Sequence, residues 1–205
     1  MNKLVLAGVV IFGFIMITAF SFRSEKERNA LVKQTGDTPT VLPYTENDAN
    51  HIPGYGKTYL GFKEAIAFKE SQGKYFKVNT LGYLGKYQFG ISTLATLRIF
   101  KLDHFLYNPR LQEKAFKANC SYNKWLLRKE IKKYSGKVIN GITITESGII
   151  AAAHLSGAGS VKRYLRKNGK GRKIVDVYGT GIEQYLRKYA DYDLSWIKAT
   201  KYPKL

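Results

Sequence analysis

Apolar side chains crowd the start of the 205-residue chain and then recur at regular intervals beyond its first quarter. Residues 4–22 form an uncharged run rich in Val, Ile, Leu and Phe behind Lys3. Its length is nearer the roughly 18 residues that cross a bilayer than the roughly 7 to 15 of a signal-peptide core. It reads as an uncleaved anchor, with a cleaved signal peptide as the alternative because Ala19, Phe20 and Ser21 loosely fit a small-x-small site. Residues 23–50 are polar, contain Pro39 and Pro43 and lack a sustained apolar period, the pattern of a flexible linker. Three parts follow: residues 1–22 as transmembrane anchor or signal peptide, 23–50 as linker, and 51–205 as a domain carried out of the cytoplasm.

Within that domain the apolar period is mostly helical. Phe62, Ile66 and Glu70 fall four apart in a helix over residues 59–72, with Gly73 as its stop. Residues 75–89 are rich in Tyr, Phe and Val and punctuated by Asn79, Gly82 and Gly85, which predicts a short irregular β-hairpin. Ser92 is placed to cap a helix over 92–101. Asn108 before Pro109 is an N-cap followed by proline at the first helical position. It opens a long helix through Leu111, Ala115, Ala118, Tyr122, Trp125 and Leu126 towards Tyr134. Asn140 and Gly141 mark a turn. Thr145 caps a helix over 146–155, Gly157 and Gly159 interrupt it, a helix resumes over 161–167, and residues 181–189 supply the last. The fold class is mainly α, a compact helical domain with a short β-hairpin after the first helix.

Charge narrows the partners. The chain has 34 Lys or Arg against 15 Asp or Glu, a net charge of +19. Residues 23–50 hold four bases and five acids, so the whole excess sits on the rest of the chain. A basic surface suits nucleic acid or an acidic wall polymer. The run from Lys162 through Arg163, Tyr164, Leu165 and Arg166 to Lys167 would fit a phosphate backbone, but nucleic acid is scarce outside the cytoplasm and is not the expected partner. The lone Cys120 excludes an intrachain disulfide, and His51, His104 and His154 are widely separated, so neither a metal nor a cofactor is expected. Gly169, Lys170, Gly171 and Arg172 lack the spacing of a phosphate loop, and no Gly-x-Ser-x-Gly nucleophile motif occurs.

The residue placed for chemistry is Glu70. It shares a helix face with Phe62 and Ile66 and occupies the last turn. There an apolar setting and the negative end of the helix dipole both disfavour an ionised carboxylate, as a general acid requires. Lys69 and Lys74 oppose that tendency, and an exposed helix-end glutamate is the plain alternative. Glu70-Ser71 closes this helix; Gly85-Lys86-Tyr87-Gln88-Phe89 carries Gly-x-x-Gln-Phe; and Ala153-His154-Leu155-Ser156-Gly157-Ala158-Gly159 carries Ala-x-x-x-Gly-x-Gly. In this order, over residues 59–192, the three motifs resemble those of the lysozyme-like soluble lytic transglycosylases, which cleave the glycan strands of bacterial peptidoglycan.

The resemblance implies a lysozyme-like fold, Glu70 as the catalytic acid, and Ser71 helping to hold it. It also implies Gln88 lining the sugar cleft, with Phe89 at the apolar position and Tyr87 shaping the groove. The family's third motif usually reads Ala-Tyr-Asn-x-Gly, its Tyr supporting the glutamate. Here His154 stands at the Tyr position and Leu155 at the Asn position, so His154 reads equally as a satisfied core residue or as a group that assists substrate binding. The partners implied are peptidoglycan strands and, through the N-terminal run, the inner membrane. The domain then lies on the periplasmic side of the envelope, anchored or, after signal cleavage, secreted.

Between Glu70 and Asp103 the chain has no acid. Glycosidases with two carboxyl groups set them about 5 to 5.5 Å or about 6.5 to 9.5 Å apart. The resemblance implies instead a single glutamate that protonates the glycosidic oxygen and then deprotonates the muramic acid 6-hydroxyl, closing a 1,6-anhydro ring. Asp103, Glu113 and Glu146 remain candidates for the second carboxyl of a hydrolytic lysozyme. A non-catalytic peptidoglycan-binding module is the third reading.

Overall fold

The computed structural model describes residues 56–170 and 180–205. The anchor or signal run and the linker lie outside the described residues, and among those described no helix is long and apolar enough to cross a membrane. The elements are α1 (Tyr59–Ser71), α2 (Ile91–Thr96), α3 (Leu102–Leu106), α4 (Pro109–Tyr134), β1 (Val138–Ile139), β2 (Ile142–Thr143), α5 (Glu146–Ser156), α6 (Ala158–Arg166) and α7 (Ile182–Lys188). The described part is mainly helical, with one two-stranded antiparallel ladder.

Local chemistry sets the helix ends. The Thr58 hydroxyl accepts from Gly61 N at 3.2 Å to start α1, and Gln72 closes it in the left-handed region at φ 58°. Asn108 Oδ1 accepts from Leu111 N at 3.0 Å and Pro109 follows, starting α4 where the sequence predicts. The Thr145 hydroxyl accepts from Gly148 N at 3.1 Å and starts α5.

Burial then arranges the helices. In α5 every residue from Ile149 to Ala153 is buried, the mark of a helix enclosed on all sides. It packs on α4, α6 and α7. A side chain at Gly148 would bring a Cβ to 2.7 Å from the Leu186 carbonyl oxygen, so α5 and α7 meet backbone to backbone at that glycine. Phe62 of α1 lies edge-on to Tyr189 and Tyr192 and 6.3 Å from Phe116, tying α1 to α4 and the C-terminal segment.

Two expectations need correction. The helix predicted over 92–101 stops at Thr96 as α2; residues 97–101 are not helical, and α3 begins only at Leu102. Arg98 takes the left-handed conformation at φ 61° and turns the chain so that Leu97 and Ile99 are both buried. Ser92 lies inside α2, whose N-cap is Gly90. The second concerns residues 75–89, which form isolated bridges, Val78 with Leu84 and Leu84 with Phe89, in place of a hairpin ladder. The ladder lies instead at β1 and β2, across the turn of Asn140 and Gly141 at φ 51° and 69°. The 75–89 loop is held by side chains. Gln112, fully buried on α4, accepts from Lys86 N at 2.8 Å and donates to the carbonyls of Tyr75, Phe105 and Leu106.

Candidate active site

Glu70 sits where α1 leaves the core. Phe62 and Ile66, earlier on its face, are wholly buried, while Glu70 is half-buried. Its Oε1 accepts a hydrogen bond of 2.6 Å from the hydroxyl of Tyr185, a residue of α7 lying 115 positions later. Burial of Ile182 and Leu186 seats α7, and the Gln184 side chain accepts from Gly181 N at its start. Among the described residues Glu70 has no ion pair.

The other acids near α1 and α4 are held by cations. Glu64 pairs with Lys86 and Lys63, Glu130 with Arg166, and Glu146 with Lys124. Glu113 is the most heavily bonded: it takes Lys63, Lys86 at 3.0 Å, the Tyr75 hydroxyl at 2.7 Å and the Tyr87 hydroxyl at 2.9 Å. Burial alone would raise its carboxyl, but these four donors outweigh it and hold the group down at about 2. The same cluster, after burial, pushes the Tyr87 and Tyr75 hydroxyls upward. Burial would lower the Lys86 ammonium, yet Glu64 and Glu113 leave it raised. Glu113 and Glu146 thus serve as structural anchors, and Asp103 is exposed in the first turn of α3.

Around Glu70 the motif residues take separate posts. Ser71 is buried, and its hydroxyl donates to the Lys86 carbonyl at 2.7 Å, so it pins the 75–89 loop to α1 in place of holding Glu70. The Tyr87 ring is also turned from its expected post: it is fully buried, stacked on Phe116 at 4.1 Å and bonded to Glu113, so it packs the core and does not face the groove. Gln88, left-handed at φ 48°, folds its amide onto the Gly85 carbonyl at 2.9 Å. Phe89 is buried against Phe105 and His154.

His154 is the joint of the site. Its Nε2 donates to the Tyr87 carbonyl at 2.9 Å, which leaves Nδ1 as an acceptor facing the Asn119 amide at 3.3 Å. Asn123 in turn donates to Asn119 at 3.3 Å. Burial lowers the imidazole's proton affinity, more than the nearby Glu70 charge and the Tyr87 carbonyl raise it, so the ring is held neutral. The Phe89 and Phe116 rings flank it at 5.5 Å.

His154 also lines a cleft of about 420 Å³ between the 83–90 loop, α2, α4 and the end of α5. Gln88, Phe89, Asn119 and Asn123 line it too, with Tyr83 and Tyr122 supplying rings and Ser92, Thr93, Thr96 and Ser156 hydroxyls. Its lining contains no Lys, Arg, Asp or Glu, and Glu70 is not part of it. Amides, hydroxyls and aromatic faces in an uncharged cleft suit a neutral, hydroxyl-rich ligand. Among the described residues no group of three or more His, Cys, Asp and Glu gathers as a metal would require.

No family model, curated protein or solved structure matches the chain.

Sequence reasoning passed over Tyr185, Asn119 and Asn123. A lone tyrosine in a short helix gives no sign of a partner 115 residues away. Asn119 and Asn123 did leave a trace, two amides four apart on α4, on one helix face among buried alanines.

Proposed function

We propose that this chain cleaves the MurNAc–GlcNAc glycosidic bond of bacterial peptidoglycan as a lytic transglycosylase, on a lysozyme-like fold, with Glu70 as its single acid and base. The observation that carries the reading is the Tyr185 hydroxyl on Glu70 Oε1: the carboxyl at the predicted position is met by a neutral donor, while the other glutamates nearby are ion-paired. Tyr185 and His154 act as positioning residues. The uncharged cleft beside His154 receives N-acetyl sugars, with Gln88 and Phe89 on its wall. Residues 4–22 carry the domain to the periplasmic side of the inner membrane.

With Oε1 occupied by Tyr185, Glu70 Oε2 delivers the proton to the glycosidic oxygen. The C1–O bond of the muramic residue breaks with its electron pair leaving on that oxygen, and positive charge develops at C1. The carboxylate then takes the proton of the same residue's 6-hydroxyl as O6 bonds to C1. Glu70 ends protonated, ready for another turn, and no water is consumed.

Glu70→Gln tests the assignment. The wild-type chain releases sugar fragments with anhydro ends from purified murein, identified by mass spectrometry, and the variant releases none. Fragments heavier by one water assign the chain to the hydrolytic lysozymes. Wild type that binds murein without cutting it is the non-catalytic module, and a variant as active as wild type removes Glu70 from the chemistry.

A further inference from the structure

Charge changes abruptly at one edge of the cleft. Its lining is uncharged, yet along α4 and just beyond it, residues 114–137 hold eight bases and one acid. That acid, Glu130, is buried and occupied by Arg166. Tyr122 joins the two regions: it lines the cleft, and its ring lies nearly parallel to that of Trp125, 15° between planes and 6.3 Å between centroids.

Trp125 is only partly buried and carries cations. The Arg128 guanidinium lies 4.7 Å from its ring centre and is steadied by the Trp125 carbonyl at 2.7 Å. Lys201 Nζ approaches the same ring at 5.5 Å and the exposed Tyr202 ring at 5.1 Å. The C-terminal segment that brings Lys201 there is fastened to α4, since Ser121 donates to the Lys198 carbonyl and Thr200 N to the Ser121 carbonyl at 3.2 Å. Arg128 and Lys201 are both exposed, and neither joins any ion pair among the described residues.

We infer that Tyr122, Trp125, Arg128 and Lys201 form a second binding site continuous with the cleft, which grips the carboxylate-bearing substituents of a glycan strand whose neutral sugar rings lie in the cleft. This deepens the proposed function and rests on it. A strand with uncharged rings and acidic side branches needs an uncharged trough beside fixed cations, which is the layout here. A guanidinium can bond a carboxylate through two parallel N–H groups, and the flat rings next to it offer faces for apolar sugar or peptide surface.

The test is co-sedimentation of the full chain with insoluble murein, untreated or with its carboxylates converted to amides. Arg128→Ala combined with Lys201→Ala is expected to weaken binding to untreated murein roughly fivefold, the product of two exposed ion pairs each worth a few-fold. It leaves binding to amidated murein unchanged. Lys129→Ala combined with Lys132→Ala removes the same charge farther along α4 and has a clearly smaller effect. Equal losses from the two pairs of substitutions, or a loss that persists on amidated murein, overturns the inference. So does a variant that keeps its murein binding and loses binding to vesicles of anionic phospholipid. The four replaced side chains are exposed, and urea midpoints matching wild type confirm that folding is intact. Glu70→Gln, run alongside, keeps the outcomes apart: should it cut murein normally, the proposed chemistry fails while the carboxylate dependence is still read directly.

Discussion

The carboxylate of Glu113 is the strongest electrostatic tie beneath the loop that carries Gln88, and neutralising it gives a quantitative test. In the folded chain its titration lies at about 2, against an ordinary value of 4.5, with about a quarter of its side chain exposed. At about 1.4 kcal/mol for each pH unit, that difference contributes about 3 kcal/mol to stability near neutral pH. Because the folded value is the lower one, this stability is complete above 4.5 and disappears as the pH falls through about 2. Glu113→Gln keeps the shape and removes the charge. Urea unfolding of both chains, followed by the fluorescence of Trp125 and Trp196, should show the variant less stable by about 3 kcal/mol at pH 7, about 1 to 3 M in midpoint. The gap should close between about pH 5 and pH 2, where the wild-type carboxyl also becomes neutral and releases Lys63 and Lys86. A gap below about 1 kcal/mol at pH 7, or one that does not change with pH, would refute the claim that these donors outweigh the cost of burial.

Two further outcomes are expected. Tyr185→Phe deletes the hydrogen bond that orients Glu70, worth about 1 kcal/mol, so kcat on murein should fall by about fivefold with KM nearly unchanged, while stability falls by no more than the same amount; retention of full activity would remove Tyr185 from the mechanism. His154, whose folded value lies below its ordinary 6.5, lends stability that is full above pH 6.5 and declines as the pH drops towards the folded value. His154→Gln, which retains a side-chain donor for the Tyr87 carbonyl, should therefore flatten the pH dependence of the urea midpoint below pH 6.5, in the range above the carboxylates; an unchanged slope would count against a ring held neutral by the fold.

Where the sequence was legible, a short-range rule was at work. Asn108 with Pro109, Thr145, and the Asn140-Gly141 turn each act within a few residues, and each stands where the pattern put it. The misreadings share a different cause. Arg98 ends the expected helix early by adopting a conformation that its side chain does not advertise, because burying both Leu97 and Ile99 outweighs the strain of the left-handed region. Tyr87 has the composition of a groove residue, but a carboxylate 26 positions later draws its hydroxyl into the core. The Ser71 hydroxyl goes to a carbonyl 15 residues on. No local window contains both halves of such pairs.

The departure of the third motif from its usual form acquires a physical sense on the proposed reading. In the family that the chain resembles, a tyrosine at the His154 position supports the glutamate. Here a hydroxyl reaches Glu70 from α7, so the residue at that position need not be a tyrosine. Its imidazole is instead fixed between the Tyr87 carbonyl and Asn119, where it links the loop carrying Gln88 and Phe89 to the amides of α4. A neutral ring serves that link better than a charged one, since protonation at Nδ1 would set two donors, His154 and the Asn119 amide nitrogen, against each other. Burial that keeps His154 neutral and a Glu70 held by an uncharged hydroxyl are thus parts of one arrangement. In it the cleft wall stays free of formal charge, and the exposed cations Arg128 and Lys201 lie beyond Tyr122, against Trp125.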